Sequence, residues 1–122
     1  MTSLKRSLTL LCALLAFSCA LEAATITKNI NAGKNMPFKL ELAGNPTTGY
    51  NWELDRINKT DFTVLKSGFT PPQSKLVGAG GVNWWLIKPL RGGTKIISLL
   101  YYRPWEGKSK AVEQCVVTVK VK

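Results

Sequence analysis

Three stretches of this 122-residue chain carry residues suited to gripping another molecule. The first is Asn45-Pro46-Thr47-Thr48-Gly49-Tyr50, followed by Asn51-Trp52. Pro46 fixes its own φ and holds Asn45 away from the helical region, while Gly49 permits a positive φ where the chain turns back. The product is a stiff loop that offers two hydroxyls, although Asn-Pro and Thr-Gly are also ordinary turn residues. The second stretch reads Pro71-Pro72-Gln73-Ser74-Lys75-Leu76-Val77-Gly78-Ala79-Gly80-Gly81. Its bare backbone lets another chain approach and exchange main-chain hydrogen bonds, and a flexible surface connection has the same composition. A phosphate cradle is also glycine-rich, but no helical pattern follows to supply a positive N-terminus. The third begins Arg103-Pro104-Trp105-Glu106-Gly107-Lys108. A large aromatic beside proline and charge has the character of an interface anchor, and equally that of a ring folded back over the core.

Catalysis has little to work with. The chain contains no histidine, so a Ser-His or Cys-His nucleophile pair has no imidazole base, and a zinc site built from histidine has no ligands. No carboxylate pair stands in the three stretches. The expectation is a binding protein with no enzymatic activity, no cofactor and no metal.

The elements that must position these stretches read as strands. Apolar residues alternate at Met36, Phe38, Leu40 and Leu42, and again at Tyr50, Trp52 and Leu54, with polar residues between them. Further runs rich in Val, Ile, Thr and aromatics occupy 25–30, 62–66, 82–87, 94–102 and 111–122. In 94–102 the residues Ile96, Ile97, Leu99, Leu100, Tyr101 and Tyr102 are apolar at both parities, which predicts a central strand covered on both faces. No segment carries a helical stripe. About seven short strands in a domain of about 100 residues predict an all-β fold, an immunoglobulin-like sandwich of antiparallel strands. Two strands separate the first special loop (44–49) from the second (68–81), and two more separate the second from the third (103–110). All three loops therefore belong at one end of the sandwich, where function on such scaffolds gathers.

The order Asn-Pro-Thr-Thr-Gly-Tyr-x-Trp, then Pro-Pro-x-Ser-Lys-Leu with Gly-Ala-Gly-Gly, then Arg-Pro-Trp, closely resembles the chagasin family, protein inhibitors of papain-like cysteine proteases. The resemblance runs from roughly the second strand onward. It implies a three-loop wedge that fills the protease's active-site cleft as a reversible, non-covalent, one-to-one inhibitor. By that resemblance Thr47, with Asn45, Pro46, Thr48, Gly49 and Tyr50, lies at the enzyme's catalytic residues. Leu76, Val77, Gly78, Ala79, Gly80 and Gly81 run beside the substrate-binding main chain. Trp105, with Arg103 and Pro104, packs on the leaving-group side. Tyr50 stands where the family often has Phe, and Glu106 where a small polar residue is common.

The N-terminus reads as a leader. Lys5 and Arg6 precede an apolar run over 8–17, and small residues follow, as in a secretory signal peptide cleaved after Ala20 or Ala23. The run is too short to span a membrane, which takes about 20 residues. An acylated Cys19 is the less favoured alternative. The expected product is extracytoplasmic, whether periplasmic, secreted or in a lysosome-like compartment, and monomeric. It retains Cys115 alone, hence no internal disulfide, and the alternation of 115–122 makes that thiol a small buried apolar group.

Seventeen Lys+Arg against seven Asp+Glu give the full chain a formal charge of +10. A nucleic-acid module would use such charge, but the lysines are scattered and no RNA-binding aromatic signature is present. An adhesive or glycan-binding sandwich is the alternative reading, since this architecture hosts many functions. Lys75, Arg103, Lys108 and Lys110 lie in or beside the loops and are expected to steer the protein toward an acidic protease surface.

Overall fold

The computed structural model describes residues 23–73 and 78–122. Seven strands form two sheets. They are β1 (Ala24–Ala32), β2 (Phe38–Gly44), β3 (Asn51–Arg56), β4 (Phe62–Thr70), β5 (Gly81–Pro89), β6 (Gly93–Tyr102) and β7 (Glu113–Val121). One sheet has the order β1-β7-β6-β3 and the other β2-β5-β4. The described residues contain no α-helix, only short 3₁₀ turns at Pro46–Thr48 and Lys108–Lys110. None is long and apolar enough to cross a membrane.

Alternation decides what enters the core. On β7, Cys115, Val117, Val119 and Val121 are buried while Val116, Thr118 and Lys120 face outward. They meet Leu40 and Leu42 of β2, Trp52 of β3, Phe62 of β4, Trp85 and Ile87 of β5, and Ile97 and Leu99 of β6. The Trp52 indole fixes the seam between the sheets by donating Nε1–H to the Ala43 carbonyl at 2.9 Å. Cys115 lies within this core, where burial pushes its thiol above the ordinary value of 9.0 against a smaller opposing effect of Lys28. Residues 24–122 should therefore not react with a disulfide-exchange reagent until they unfold, with a labelling rate that follows the unfolding rate.

Three expectations are adjusted. Pairing is antiparallel except between β1 and β7, which run parallel in register from Ala24↔Glu113 to Ala32↔Val121. The cause is parity: strands that alternate in direction leave two odd-numbered strands pointing the same way, and these two are neighbours. β4 continues past residue 66 to Thr70, because its ladder with β5 passes through a bulge between Val64 and Lys66 and resumes over the weakly apolar Ser67-Gly68. β6 is central within its sheet, but its outer face is not covered throughout, for Ile96 is 63% exposed.

On that outer face the Tyr102 hydroxyl donates to Glu53 Oε2. This hydrogen bond, then burial, raises the Tyr102 ionisation above its ordinary 10.0. The stabilisation is complete below pH 10 and is lost as pH rises through the raised value. Thermal unfolding followed from about pH 8 to about pH 11 should show this loss in the native chain, and a smaller one in Tyr102→Phe.

Alternation of direction also sorts the connections. The β2–β3, β4–β5 and β6–β7 loops and the start of β1 share one end, while the β1–β2, β3–β4 and β5–β6 turns and the end of β7 share the other.

Candidate functional site

The first loop is built by its own side chains. Asn45 sits at φ −133°, ψ 92°, the extended backbone that a following proline imposes, and Pro46 opens a 3₁₀ turn that Gly49 closes at φ 84°. The Asn45 carboxamide oxygen accepts from the backbone N–H of Thr47 at 3.2 Å and from the Thr47 hydroxyl. The Thr48 hydroxyl donates to the Asn45 carbonyl at 2.7 Å. Both hydroxyls thus have partners inside the loop, and Pro46, Thr47 and Thr48 are exposed at its tip.

Two residues tie this loop to the others. The Asn45 Nδ2 amide donates to the Gly78 carbonyl of the second loop at 2.7 Å, and the Asn45 N–H donates to the Tyr101 hydroxyl at 3.1 Å. Arg103 of the third loop donates Nε–H to the Thr48 carbonyl at 3.1 Å. Its guanidinium lies 4.3 Å over the Tyr50 ring and 5.9 Å from the Trp105 ring, with Glu106 3.7 Å away. Tyr50 stacks on Tyr101 at 5.4 Å, and Tyr101 leans on Trp52 at 4.9 Å. A column of Arg103, Tyr50, Tyr101 and Trp52 therefore runs from the loops into the core. Stacked cations and rings of this kind contribute about 0.5–2 kcal/mol per contact.

Trp105 is not a lid on the core. It is 72% exposed, with one ring edge against Gly49. A Cβ at Gly49 would overlap Trp105 Cη2 and lie 3.1 Å from Cζ2, so the absence of a side chain there serves the neighbouring loop as well as the positive φ.

The site residues expected from sequence divide by role. Asn45, Pro46, Thr47, Thr48, Gly49, Gly78, Arg103, Pro104 and Trp105 gather at one end, and Tyr50 lies behind them, half-buried. A Cβ on Gly80 would lie 3.1 Å from the Gly44 carbonyl, and one on Gly81, the first residue of β5, would overlap Thr70 O. The glycine at 81 is thus required by packing within the fold. Ala79 is half-buried between Gly78 and Gly80. Leu76, Val77 and Lys75 fall outside the described residues. Sequence reasoning missed Tyr101 as the support of Asn45. Its parity with Leu99 and Trp52, one step from a loop, was the available signal.

The expected electrostatic role of the loops is weakened. Arg103 pairs with Glu106, and Lys108 Nζ lies 3.3 Å from Asp55 Oδ1. Among the described residues no cluster of three or more His, Cys, Asp or Glu could hold a metal ion.

The carboxamide of Asn45 is the cap of the first loop and its strap to the second. Asn45→Ala should lower affinity for the site's partner about fivefold or more, and the lost cap of about 1 kcal/mol should also lower Tm by roughly 4–8 °C. Titration calorimetry with parallel thermal melts would separate the two effects.

Residues 31–121 match the sequence model described as "Chagasin family peptidase inhibitor I42". Chagasin of Trypanosoma cruzi is 38% identical over 87 residues, covering 67% of this chain and 78% of the relative. Among solved structures, the cysteine protease inhibitor EhICP2 from Entamoeba histolytica superposes with a TM-score of 0.65 at 26% identity, over 82% of this chain and 96% of the other. PbICP-C, solved in complex with falcipain-2, shares the fold with a TM-score of 0.57 at 24% identity, over 83% of this chain and 92% of the other.

Proposed function

The chain belongs to the chagasin family of peptidase inhibitors, and from that premise we propose that it blocks papain-like cysteine proteases by a wedge of three loops inserted into the active-site cleft. The observation that carries this reading is the cross-bracing of the loops before any partner arrives: Asn45 to Gly78, and Arg103 to Thr48. A recognition surface already held in shape loses little conformational freedom on docking, so more of its contact energy appears as affinity.

Each part has a task. Pro46, Thr47 and Thr48 enter toward the catalytic cysteine as a closed 3₁₀ turn whose backbone is folded on itself. A substrate must lie extended for its carbonyl to meet the nucleophile in line, and a turn fixed by Pro46 and Gly49 fills that space without presenting such a bond. Because the Thr47 and Thr48 hydroxyls are bonded within the loop, burial in the cleft leaves no orphan donor there. The backbone of Gly78, Ala79 and Gly80 lies along the cleft wall, and Trp105 supplies a rigid aromatic anchor on the other flank. Inhibition is steric and reversible, and the chain acts as a binding protein, not an enzyme.

The test is a titration of residues 24–122 against active papain, and against papain with its catalytic cysteine blocked. One-to-one inhibition with binding retained by the blocked enzyme supports the wedge. Absence of inhibition of any papain-like enzyme at micromolar concentration rejects the function.

Residues 1–23 are proposed as an export leader, removed to give an extracytoplasmic monomer. The first strand begins at Ala24, whose N–H bonds to the Val112 carbonyl at 3.2 Å, so a chain starting there keeps both sheets whole. Mass spectrometry of the N-terminus of the exported protein checks this: a chain beginning at Leu21 or Ala24 supports it, and one retaining Met1 refutes it.

A further inference from the structure

Ten of the fourteen Lys and Arg among the described residues lie toward the two ends of the sandwich, and they are divided unequally. At the loop end the described residues hold Arg103, Lys108 and Lys110 against Glu53, Asp55, Glu106 and Glu113. At the opposite pole stand Lys34, Lys59, Lys88, Arg91, Lys95, Lys120 and Lys122, with Asp61 the one carboxylate side chain among the described residues there. Asp61 is paired with Lys95 at 3.3 Å. The turns knit these residues together. The Lys34 N–H bonds to the Lys122 carbonyl at 3.0 Å, the Asn35 N–H to Pro89 O at 2.7 Å and the Leu90 N–H to Asp61 O at 2.7 Å. Lys34, Lys59, Arg91, Lys120 and Lys122 are exposed.

From this arrangement we infer that the basic pole is a docking surface for an anionic lipid bilayer, separate from the inhibitory loops. Three features choose this partner over other polyanions. The cations sit on separate elements at one end of the sandwich, Lys34, Lys59 and Arg91 in its turns and Lys88, Lys95 and Lys120 near strand ends, so a flat charged surface can meet several together. Met36, in the same turn as Lys34, is 66% exposed and gives the pole an apolar tip able to enter the headgroup region. The exposed tryptophan belongs to the other end, which leaves the pole without an aromatic platform for bases. Clusters of about four to eight Lys/Arg are the usual size for anionic lipid recognition. Docked pole-first, the ten-residue β6 holds the loops roughly 30 Å above the lipid, facing solution.

The test uses residues 24–122, which contain both sheets entire and lack the apolar run of 8–17 that would itself insert into lipid. Vesicles of phosphatidylcholine doped with phosphatidylglycerol should co-sediment the protein at low salt, and pure phosphatidylcholine should not. At about fivefold per cation, the triple variant Lys34→Glu, Arg91→Glu, Lys122→Glu should bind the doped vesicles on the order of 100-fold more weakly or worse. Its inhibition of papain should be unchanged, which also reports that it folds. The same three-charge reversal at Lys66, Lys108 and Lys110 should cost far less vesicle binding. The inference is overturned by no sedimentation with doped vesicles, by equal losses in the two triple variants, or by binding to heparin or DNA under conditions where the vesicles bind nothing.

Discussion

Trp105→Ala is expected to weaken inhibition of papain by roughly 30-fold or more, equivalent to about 2 kcal/mol, while leaving Tm within error of the parent. The two halves of this expectation come from one number. At 72% exposure the indole contributes little burial to the fold, so its removal opens no cavity, yet its face is free to be buried by a partner. Its neighbours determine how much of that potential is realised. Arg103 lies 5.9 Å from the ring and is itself held by the Thr48 carbonyl and the face of Tyr50, so the ring rests among groups that do not have to be ordered on binding. Inhibition constants and thermal melts on the same preparations decide the matter. An unchanged inhibition constant removes Trp105 from the interface, and a parallel fall in Tm makes it a structural residue.

Gly49→Ala should be comparably damaging for a different reason. The backbone at φ 84° costs an L-residue about 1 kcal/mol, which appears as lower stability. The added methyl also occupies the space of Trp105 Cη2, so the ring must swing away from the position in which it would meet the protease. Both loops are disturbed by a change in one. The double variant with Trp105→Ala separates the two causes: once the ring is gone the overlap is gone, and the combined loss of affinity should fall short of the sum of the single losses by about 1 kcal/mol or more. Strict additivity would show that the glycine acts through its backbone alone.

Much of this site is legible in the sequence. Alternation at Leu40, Leu42 and Trp52 marks the inner faces, and counting strands between loops places the three motifs at one end, because an antiparallel strand can only return the chain to where it began. The conformations at Asn45 and Gly49 also follow locally, from the ring of Pro46 and the missing Cβ. Contacts between loops could not be read in this way. Arg103 looked like part of the anchor, whereas it joins four residues of two loops, Thr48, Tyr50, Trp105 and Glu106, and Tyr101 looked like one more strand aromatic. Both roles depend on distances across the fold, which no local pattern encodes. Burial of both faces of β6 was expected from its apolar run; the outer face is buried at Ser98 and Tyr102 but exposed at Ile96, beyond the point where the ladder with β3 ends at Ser98. The unequal division of the cations was hidden for a similar reason: Lys34 and Lys122 are nearly as far apart in the chain as two residues of this domain can be, yet their backbones are hydrogen-bonded.

The parallel ladder between β1 and β7 has a kinetic corollary. Ala24 must find Glu113, and Ala32 must find Val121, across almost the entire domain, so this pairing closes the largest loop in the molecule and gains little until the other strands have shortened it. A ribosome delivers β7 after the other six strands. Until it emerges, β1 has no ladder partner and β6 has only β3 beside it, leaving the four-stranded sheet open down its middle. The domain thus completes its four-stranded sheet only once β7 has emerged, and its first strand, whose start adjoins the inhibitory end, is among the last to be committed.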